Sequence, residues 1–172
     1  MKLDKLPLFH KGHINVIVET PRGCRNKFDY DPELHLFRLK KTLPMGMSFP
    51  FDFGFVPNTI APDGDPLDVL IIMDEPAYPG CLVECRILGA INAIQTEVNG
   101  KREHNDRIIA ISISSVLYAG IKNINDLNKK MVDQVEHFFM LYNEEENKNF
   151  KPISWVDADA AKKLIRKSRL VK

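Results

Sequence analysis

The sequence has almost no net charge and no hydrophobic run of membrane-spanning length. It contains 24 Lys and Arg residues against 23 Asp and Glu, a formal charge of +1. It therefore lacks the basic surplus typical of nucleic-acid-binding proteins. The main basic cluster, Lys162 to Lys172, is interpreted as a solvated helix face. We expect neither a nucleic-acid partner nor a membrane partner.

Cysteine is also scarce, which argues against a disulfide-stapled or zinc-centred fold. Cys24, Cys81 and Cys85 are odd in number and match no zinc spacing with nearby histidines, so we expect reduced, structural thiols. The first residues lack the apolar segment of a secretory signal, and we expect a cytoplasmic protein. With 172 residues, 44% of them hydrophobic, and no repeats, the chain is predicted to form one domain over residues 1–172.

The most informative stretch is acidic and runs Asp63-Gly64-Asp65-Pro66-Leu67-Asp68, ahead of an apolar, β-branched run. Three carboxylates this close repel one another, and bound divalent cations are a common compensation. Asp-Gly indicates a turn and Pro66 favours an extended Asp65, so the acids lie where a loop enters a buried strand. We interpret the stretch as a metal-binding loop. A solvated acidic turn is the alternative, and an EF-hand loop fits poorly because of Pro66 and Asp68.

The remaining pattern is mostly that of short strands. After an irregular arm over Met1–Gly12, alternating or apolar runs predict strands at His13–Glu19, Asn26–Tyr30, Leu34–Leu39, Val69–Met73, Cys81–Gln95 with a break near Gly89-Ala90, and Arg107–Ile113, where Ile109, Ile111 and Ile113 share a face. The Pro- and Gly-interrupted segment Pro44–Thr59 is predicted to be a packed loop, and Thr96–Asp106 a polar one. Several short strands with irregular connections indicate a small closed barrel.

Two helices are predicted to follow the strands. In the first, Leu127, Met131, Val135, Phe138 and Tyr142 recur at helical spacing, with Asn125 or Asp126 as N-cap. The second is capped by Asp157 and turns Ala161, Leu164 and Ile165 toward the core. The expected fold class is thus mainly β with α.

The acidic stretch, the strand Ile14-Asn15-Val16-Ile17-Val18-Glu19-Thr20-Pro21 and the helical His137-Phe138-Phe139 together resemble family I soluble inorganic pyrophosphatases. The resemblance implies an OB-like, five-stranded closed β-barrel flanked by two C-terminal helices. It also implies hydrolysis of inorganic diphosphate to two phosphates by a metal-activated water, with Mg²⁺ as cofactor or with Mn²⁺ or another divalent cation. By family analogy, the protein is expected to be a homo-oligomer, a hexamer built as a dimer of trimers.

The resemblance also assigns roles to individual residues. Asp65 resembles the catalytic carboxylate that takes the proton from, or orients, the attacking water. The residues that resemble metal ligands are Glu19, Asp63, Asp68, Glu97 and Asp106. Those that resemble substrate-binding residues are Lys27, Lys41, Arg107 and Tyr142. From spacing alone, Glu19 would be a solvent-facing strand residue, Lys27 a surface lysine and Tyr142 a core residue.

Several positions depart from the family pattern. Lys41 replaces an arginine and loses its bidentate fork, Phe49 and Phe53 replace tyrosines and lose their hydroxyls, and Asn143 replaces a lysine. The loop Thr96–Arg107 is longer than is usual in bacterial members, and Arg107 takes the place of a lysine. Alignment puts Asn105 where a metal-binding aspartate is expected. We expect the longer loop to shift the register so that Asp106 serves instead, with Glu97 as the other loop acid.

These departures leave other functions open. The altered pocket is compatible with a hydrolase shifted toward short polyphosphate, or with a degenerate pyrophosphatase kept as a structural subunit. A noncatalytic OB-like module that binds single-stranded nucleic acid is a further alternative, for which the only support is the aromatic cluster Phe49, Phe51, Phe53 and Phe55. We expect that cluster to be core.

Overall fold

The computed structural model describes residue 3 and residues 6–170. Within them the strands are β1 (Phe9–His10), β2 (His13–Thr20), β3 (Asn26–Asp31), β4 (Leu36–Thr42), β5 (Asp52–Phe55), β6 (Asp68–Ile72), β7 (Leu82–Thr96), β8 (Arg102–His104), β9 (Arg107–Ser112) and β10 (Asn149–Asp157). The α-helices are α1 (Lys129–Glu144) and α2 (Ala158–Lys167). No helix of this described part is both long and apolar enough to cross a membrane.

Five strands form a ring in the order β2, β5, β6, β9 and β7, which β7 closes by pairing with β2. Only β6 and β9 run parallel within this ring. The ring is unevenly closed, because β2 and β5 share three partner pairs with a register shift, whereas β7 and β9 share six. Strands β1, β8 and β10 extend the sheet, and β3 with β4 forms a separate hairpin. The predicted five-stranded architecture is confirmed.

Strands β2, β5, β6 and β9 of the ring are buried on both faces, and each α-helix covers a different set of side chains. On β6, Leu70 and Ile72 pack with residues of α1, whereas Val69 and Ile71 pack with residues of α2. Successive strand residues point to opposite faces, so one apolar run serves both clusters. This two-sided burial holds the start of β6, which carries Asp68, in a fixed place.

The segment Pro44–Thr59 contains a strand, so its interpretation as a packed loop was wrong. Strand β5 pairs with both β2 and β6, and all of its residues are buried. A Cβ at Gly54 would overlap the carbonyl oxygen of Ile17, so the glycine permits the close approach of β2. Gly54, one of the residues that suggested a loop, is therefore needed to bring β2 and β5 together.

The N-cap residue was predicted correctly for α2 but not for α1. Asn128, whose side chain accepts a hydrogen bond from Lys130 N, caps α1, and the prediction of Asn125 or Asp126 was wrong. Ile124–Asp126 instead form a separate 3-10 turn, and Leu127 lies before the helix. The prediction for α2 is confirmed, because the Asp157 side chain accepts a hydrogen bond of 2.8 Å from Ala160 N.

Strand bounds also needed correction in the second half of the chain. Strand β7 is continuous, with only a register shift between Ile87 and Gly89 in place of the predicted break. Ile113 lies beyond β9 and is 47% exposed, so it does not share the buried face of Ile109 and Ile111. Strands β1, β8 and β10 were not predicted. Strands β1 and β8 lie in segments that were interpreted as irregular.

Candidate active site

The acidic loop delivers its three aspartates to the start of β6. Asp63 accepts a hydrogen bond of 3.1 Å from the backbone N–H of Asp65, and Gly64 between them has a φ of +92°, which favours glycine. Ala61 N donates to the carbonyl of Asp65, at 2.7 Å, so the loop is closed on itself. Asp65 is exposed, Asp63 is half-buried, and the Asp68 side chain is 23% exposed. The loop therefore offers three carboxylates that differ in their exposure to solvent.

A buried ion-pair cluster stands on β2 and β3. Lys27 Nζ lies 3.0 Å from Glu19 Oε2 and 2.6 Å from Asp29 Oδ1. Glu19 is 8% exposed and also accepts the backbone N–H of Tyr30, and Lys27 is 5% exposed. The interpretations of Glu19 as a solvent-facing residue and of Lys27 as a surface lysine therefore do not hold in this fold.

Burial and charge act against each other in this cluster. Burial raises the pKa of Glu19 and outweighs the attraction of Lys27. Burial lowers the pKa of Lys27, but the negative charges of Glu19 and Asp29 outweigh it, so the pKa is raised. Burial raises the pKa of Asp29, yet Lys27 and Lys40 hold that pKa below its ordinary value. Lys27 is thus kept as a buried cation beside acceptor groups.

Arg107 connects the acidic loop to the Thr96–Arg107 loop. Its Nη1 donates to the Asp68 carboxylate and to the Asn105 side-chain oxygen. The guanidinium is buried among the rings of Phe53, Phe139 and Phe150, at 5.9, 5.3 and 5.7 Å from their centroids. The acceptors that its Nη1 contacts are thus the Asp68 carboxylate and the Asn105 amide oxygen.

From Arg107 a chain of polar contacts runs to the far side of the cleft. Asn105 Nδ2 donates to Gln95 Oε1 at 2.8 Å, and Gln95 Nε2 donates to Glu97.

Ion pairs extend these contacts from Glu97. Lys148 Nζ lies 3.1 Å from Glu97 Oε2 and 3.5 Å from Glu146 Oε2. Lys41 Nζ lies 2.5 Å from Glu146 Oε1. Glu97 and Lys41, distant in sequence, are thus linked in one network with Asp68.

Asp106 lies outside this network. Its Oδ1 accepts a hydrogen bond of 2.9 Å from the backbone N–H of Ala93, whereas Asn105 is the residue that contacts Arg107. The long loop therefore leaves Asn105 beside Arg107 and Asp68, contrary to the expected register shift. The reason is local, because Asn105 N donates to Ala93 O and so fixes the side chains that follow.

Tyr142 and the aromatic cluster close one end of the cleft. Lys41 Nζ is 3.9 Å from the Tyr142 ring centroid, and Phe49 packs 5.7 Å from the same ring. Burial and then the charge of Glu146 raise the pKa of the Tyr142 hydroxyl.

Asn143 is 2% exposed and donates to the carbonyl of Phe139, so it does not replace a phosphate-binding lysine. Phe49, Phe51, Phe53 and Phe55 are core, as expected.

The carboxylates fit a divalent cation by their chemistry. No three His, Cys, Asp or Glu side chains within the described ranges converge closely enough to hold one ion. The donor set is nevertheless all carboxylate oxygen, the kind that Mg²⁺ prefers. Burial and the charges of Asp68 and Asp65 raise the pKa of Asp63, and burial raises that of Asp68 despite Arg107. Burial is the first cause of both shifts, so a bound cation would offset the poor solvation of these carboxylates.

The structure adds site residues that sequence reasoning missed. Asp29 and Lys40 join the Lys27 cluster, with Lys40 Nζ 2.6 Å from Asp29 Oδ2. Lys27 and Asp29 are two residues apart on one strand and so share a face, a signal that was available in the sequence. Glu146 and Lys148 lie in the turn after α1 and had no such signal.

Comparison with known proteins identifies the family. A family model described as inorganic pyrophosphatase matches residues 16–170. The chain belongs to the family I inorganic pyrophosphatases. An inorganic pyrophosphatase of Synechocystis is 37% identical over 166 residues, which cover 96% of this chain and 95% of the relative. One of Halalkalibacterium halodurans is 37% identical over 152 residues, 88% of this chain and 90% of the relative.

A solved structure supports the same family and fold. The crystal structure of inorganic pyrophosphatase from Thermus thermophilus matches with a TM-score of 0.87 and 31% identity, covering 98% of this chain and 97% of that one. The predicted OB-like fold and the prediction of an inorganic diphosphatase are thereby confirmed, and the alternative functions are not favoured. The pyrophosphatase family is generally metal-dependent.

Proposed function

We propose that this inorganic diphosphatase uses Mg²⁺ and the cleft between the acidic loop and the Lys27 cluster to hydrolyse diphosphate to two phosphates. The observation that carries the proposal is the network running from Asp68 through Arg107, Asn105 and Gln95 to Glu97. It links the acidic loop to the opposite wall, so that anionic and cationic groups line one cleft. A highly charged substrate and its counter-ions need both.

In this proposal Asp63, Asp68, Glu19 and Glu97 hold the cations. When bound, Mg²⁺ neutralises the charge of the diphosphate and makes a water more acidic, as Mn²⁺ or another divalent cation also does. Asp106, an expected ligand, is not included in this set, because Asn105 and not Asp106 contacts Arg107 beside Asp68. Asn105 takes its place as a neutral neighbour of the site.

Asp65 is proposed as the catalytic carboxylate. It is the exposed acid of the loop, and its backbone is held by Asp63 and Ala61. A base must reach the proton it accepts, and a fixed loop with an exposed carboxylate meets that condition. Asp65 therefore accepts the proton of the attacking water or orients that water toward phosphorus.

The substrate phosphates are proposed to bind Lys27, Arg107, Lys41 and Tyr142. Lys27 and Arg107 are buried cations beside acids. The three N–H donors of Lys27 already contact Glu19, Asp29 and the Phe28 carbonyl, so a phosphate oxygen would take the place of one of these acceptors. Lys41 is paired with Glu146, and a phosphate oxygen would compete for the same ammonium. Tyr142 offers a hydroxyl at the same end of the cleft.

We further propose that residues 1–172 act as one domain in a cytoplasmic homo-oligomer, a hexamer by analogy with the family. Free Cys24, Cys81 and Cys85 suit a reducing compartment. Large apolar side chains such as Tyr78, Val116 and Leu117 are more than 70% exposed, which favours a partner surface. Neither nucleic acid nor membrane is proposed as a partner. Sedimentation equilibrium at several protein concentrations tests the hexamer.

Phosphate release from inorganic diphosphate, with and without divalent cation, tests the proposed function. We expect turnover with Mg²⁺ and its loss after removal of the metal by EDTA. Tripolyphosphate in the same assay tests the altered pocket, and we expect diphosphate to be the better substrate. Failure of the folded protein to release phosphate with Mg²⁺, Mn²⁺ or Co²⁺ would overturn the proposal.

A further inference from the structure

A second anion-binding site is suggested by a cationic cleft at the end of the barrel opposite to Asp68. The cleft has a volume of about 350 Å³. Its polar lining comprises His13, Arg86, Ser112, Ser115 and Lys122. We infer that this cleft binds a phosphoryl-bearing anion, of which orthophosphate is the smallest.

The charge of the lining supports an anion. Arg86 and Lys122 are cations, His13 can become one, and no carboxylate is among the residues that line the cleft. Lys122 Nζ has a neutral partner, the carbonyl of Ala119 at 2.8 Å, so its charge is not neutralised there. Neither cation forms a salt bridge within the described residues. The two carboxylates that bond to lining residues, Asp74 to Ser115 Oγ and Asp126 to Lys122 N, are held by those bonds and contact neither Arg86 nor Lys122 Nζ.

Arg86 has a donor without a partner. Its Nη2 donates to the carbonyl of Ile121 at 2.6 Å, but its Nη1 is buried and has no hydrogen-bond partner among the described residues. A buried N–H of a charged group that makes no hydrogen bond is costly, so such groups normally have a partner. An anion in the cleft that Arg86 lines would supply the missing acceptor.

The remaining donors favour a phosphoryl group. Ser112 is 5% exposed and its hydroxyl oxygen accepts from Ser114 N at 3.3 Å, which leaves the hydroxyl hydrogen to donate. Guanidinium, ammonium and hydroxyl donors together match an anion with several acceptor oxygens and more than one negative charge. The apolar lining by Ile111 and Ile113 leaves room for a small organic group attached to the phosphate.

The cleft is separate from the candidate active site. Arg107 begins β9 and Ser112 ends it. Five residue steps of a strand span about 16 Å. The parallel partner β6 likewise begins at Asp68 and runs away from the active site. An anion bound beside Ser112 is therefore distant from Asp68 and Arg107, and the inference does not rest on the proposed function.

Methyl NMR of isoleucine-labelled protein tests this inference. The metal-free protein, kept in EDTA, is titrated with sodium orthophosphate at constant ionic strength. We expect the Ile111 and Ile113 methyl signals to shift and saturate with a Kd of about 1 mM. Arg86→Gln and Lys122→Gln are each expected to weaken this binding about tenfold or more, whereas exposed Lys163→Gln is a matched control that leaves it unchanged. Arg86→Gln should leave diphosphate hydrolysis within about twofold.

Other results would overturn the inference. These are methyl signals that do not shift with phosphate, shifts that persist unchanged in Arg86→Gln and Lys122→Gln, or an equal response to acetate, which would remove the preference for a phosphoryl group. Methyl signals that shift with protein concentration, and not with phosphate concentration, would mean that a second copy of the chain fills the cleft. Because Lys122→Gln removes only a surface bond to Ala119, a folding defect of Arg86→Gln would not leave the question open.

Discussion

Lys27 is 5% exposed and lies between the carboxylates of Glu19 and Asp29. Replacement of this lysine by methionine would leave Glu19 buried without its cation, whereas the partly exposed Asp29 would keep its contact with Lys40. Breaking a buried ion pair from one side costs about 3–5 kcal/mol. We therefore expect Lys27→Met to lower the free energy of unfolding by about that amount, measured by urea denaturation.

A double variant separates charge from packing in this cluster. In Glu19→Gln/Lys27→Met the buried negative charge of Glu19 is removed together with the cation. We expect the double variant to be more stable than Lys27→Met alone. A loss below about 1 kcal/mol in the single variant would mean that the pair is hydrated in solution.

Substitutions at Asn105 and Asp106 are expected to differ in their effect on metal binding. Asn105 contacts Arg107 beside Asp68, whereas Asp106 is bonded to Ala93 N. We expect Asn105→Asp to lower the Mg²⁺ concentration at half-maximal activity, because it adds a carboxylate at the site. Asp106→Asn should leave that concentration within about twofold and cost about 1 kcal/mol of stability. The reverse pattern would place Asp106 at the metal.

At the level of single strands, Gly54 sets how closely β2 and β5 approach. A Cβ there would overlap the Ile17 carbonyl, which belongs to the backbone and cannot rotate away. We expect Gly54→Ala to destabilise the protein by about 3 kcal/mol, measured by thermal and urea unfolding. Gly120→Ala is the control, since nothing lies within 4 Å of its Cβ position. Equal effects of the two variants would contradict the tight closure of the ring.

The loop after β9 is held by one carboxylate. Asp74 accepts from Ser115 Oγ at 2.5 Å and from the backbone N–H groups of Val116 and Leu117. The Ser115 hydroxyl and then the Val116 N–H lower the pKa of Asp74 below its ordinary value of 3.8. Because the Asp74 pKa is lower in the folded state, the ionised carboxylate stabilises this loop fully at pH values above the ordinary pKa. This stabilisation is lost as the pH falls through the lowered pKa of the folded state.

Amide NMR signals test the role of Asp74. We expect the Val116 and Leu117 signals to titrate with a midpoint below pH 3.8, and Asp74→Asn to abolish the transition. Exposed Asp133→Asn on α1 is the control and should leave it unchanged. A midpoint above the ordinary value would show that the carboxylate does not hold these amides.

For the whole molecule, the sequence predicted features that depend on local patterns. The strand ending at Pro21, the Asp157 cap and the buried run after Asp68 follow from periodicity and side-chain chemistry. Strand β5 was missed because its pairing with β2 and β6, which are distant in sequence, overrode the local turn signals. The cap at Asn128 is a local bond to Lys130 N, and it was missed because Asn125 and Asp126 lie nearby as competing cap residues.

The site was predicted less completely than the fold. The acidic loop is continuous in sequence, so its residues could be recognised together. Lys148 and Glu146 reach Glu97 and Lys41 only because the turn after α1 folds over the cleft. Asn105 faces the site because its backbone is bonded to Ala93, a register that no single-strand pattern contains.

We propose that the acidic loop is the catalytic centre of this metal-dependent diphosphatase. Phosphate release from diphosphate with saturating Mg²⁺ tests it most directly, with Asp65→Asn and Asp68→Asn compared to wild type and to the exposed control Asp133→Asn. We expect both loop variants to lose about a hundredfold or more of the rate while remaining folded, because each removes a group in the cleft, and the control to retain full activity. Loop variants as active as the control would show that the acidic loop is not the catalytic centre.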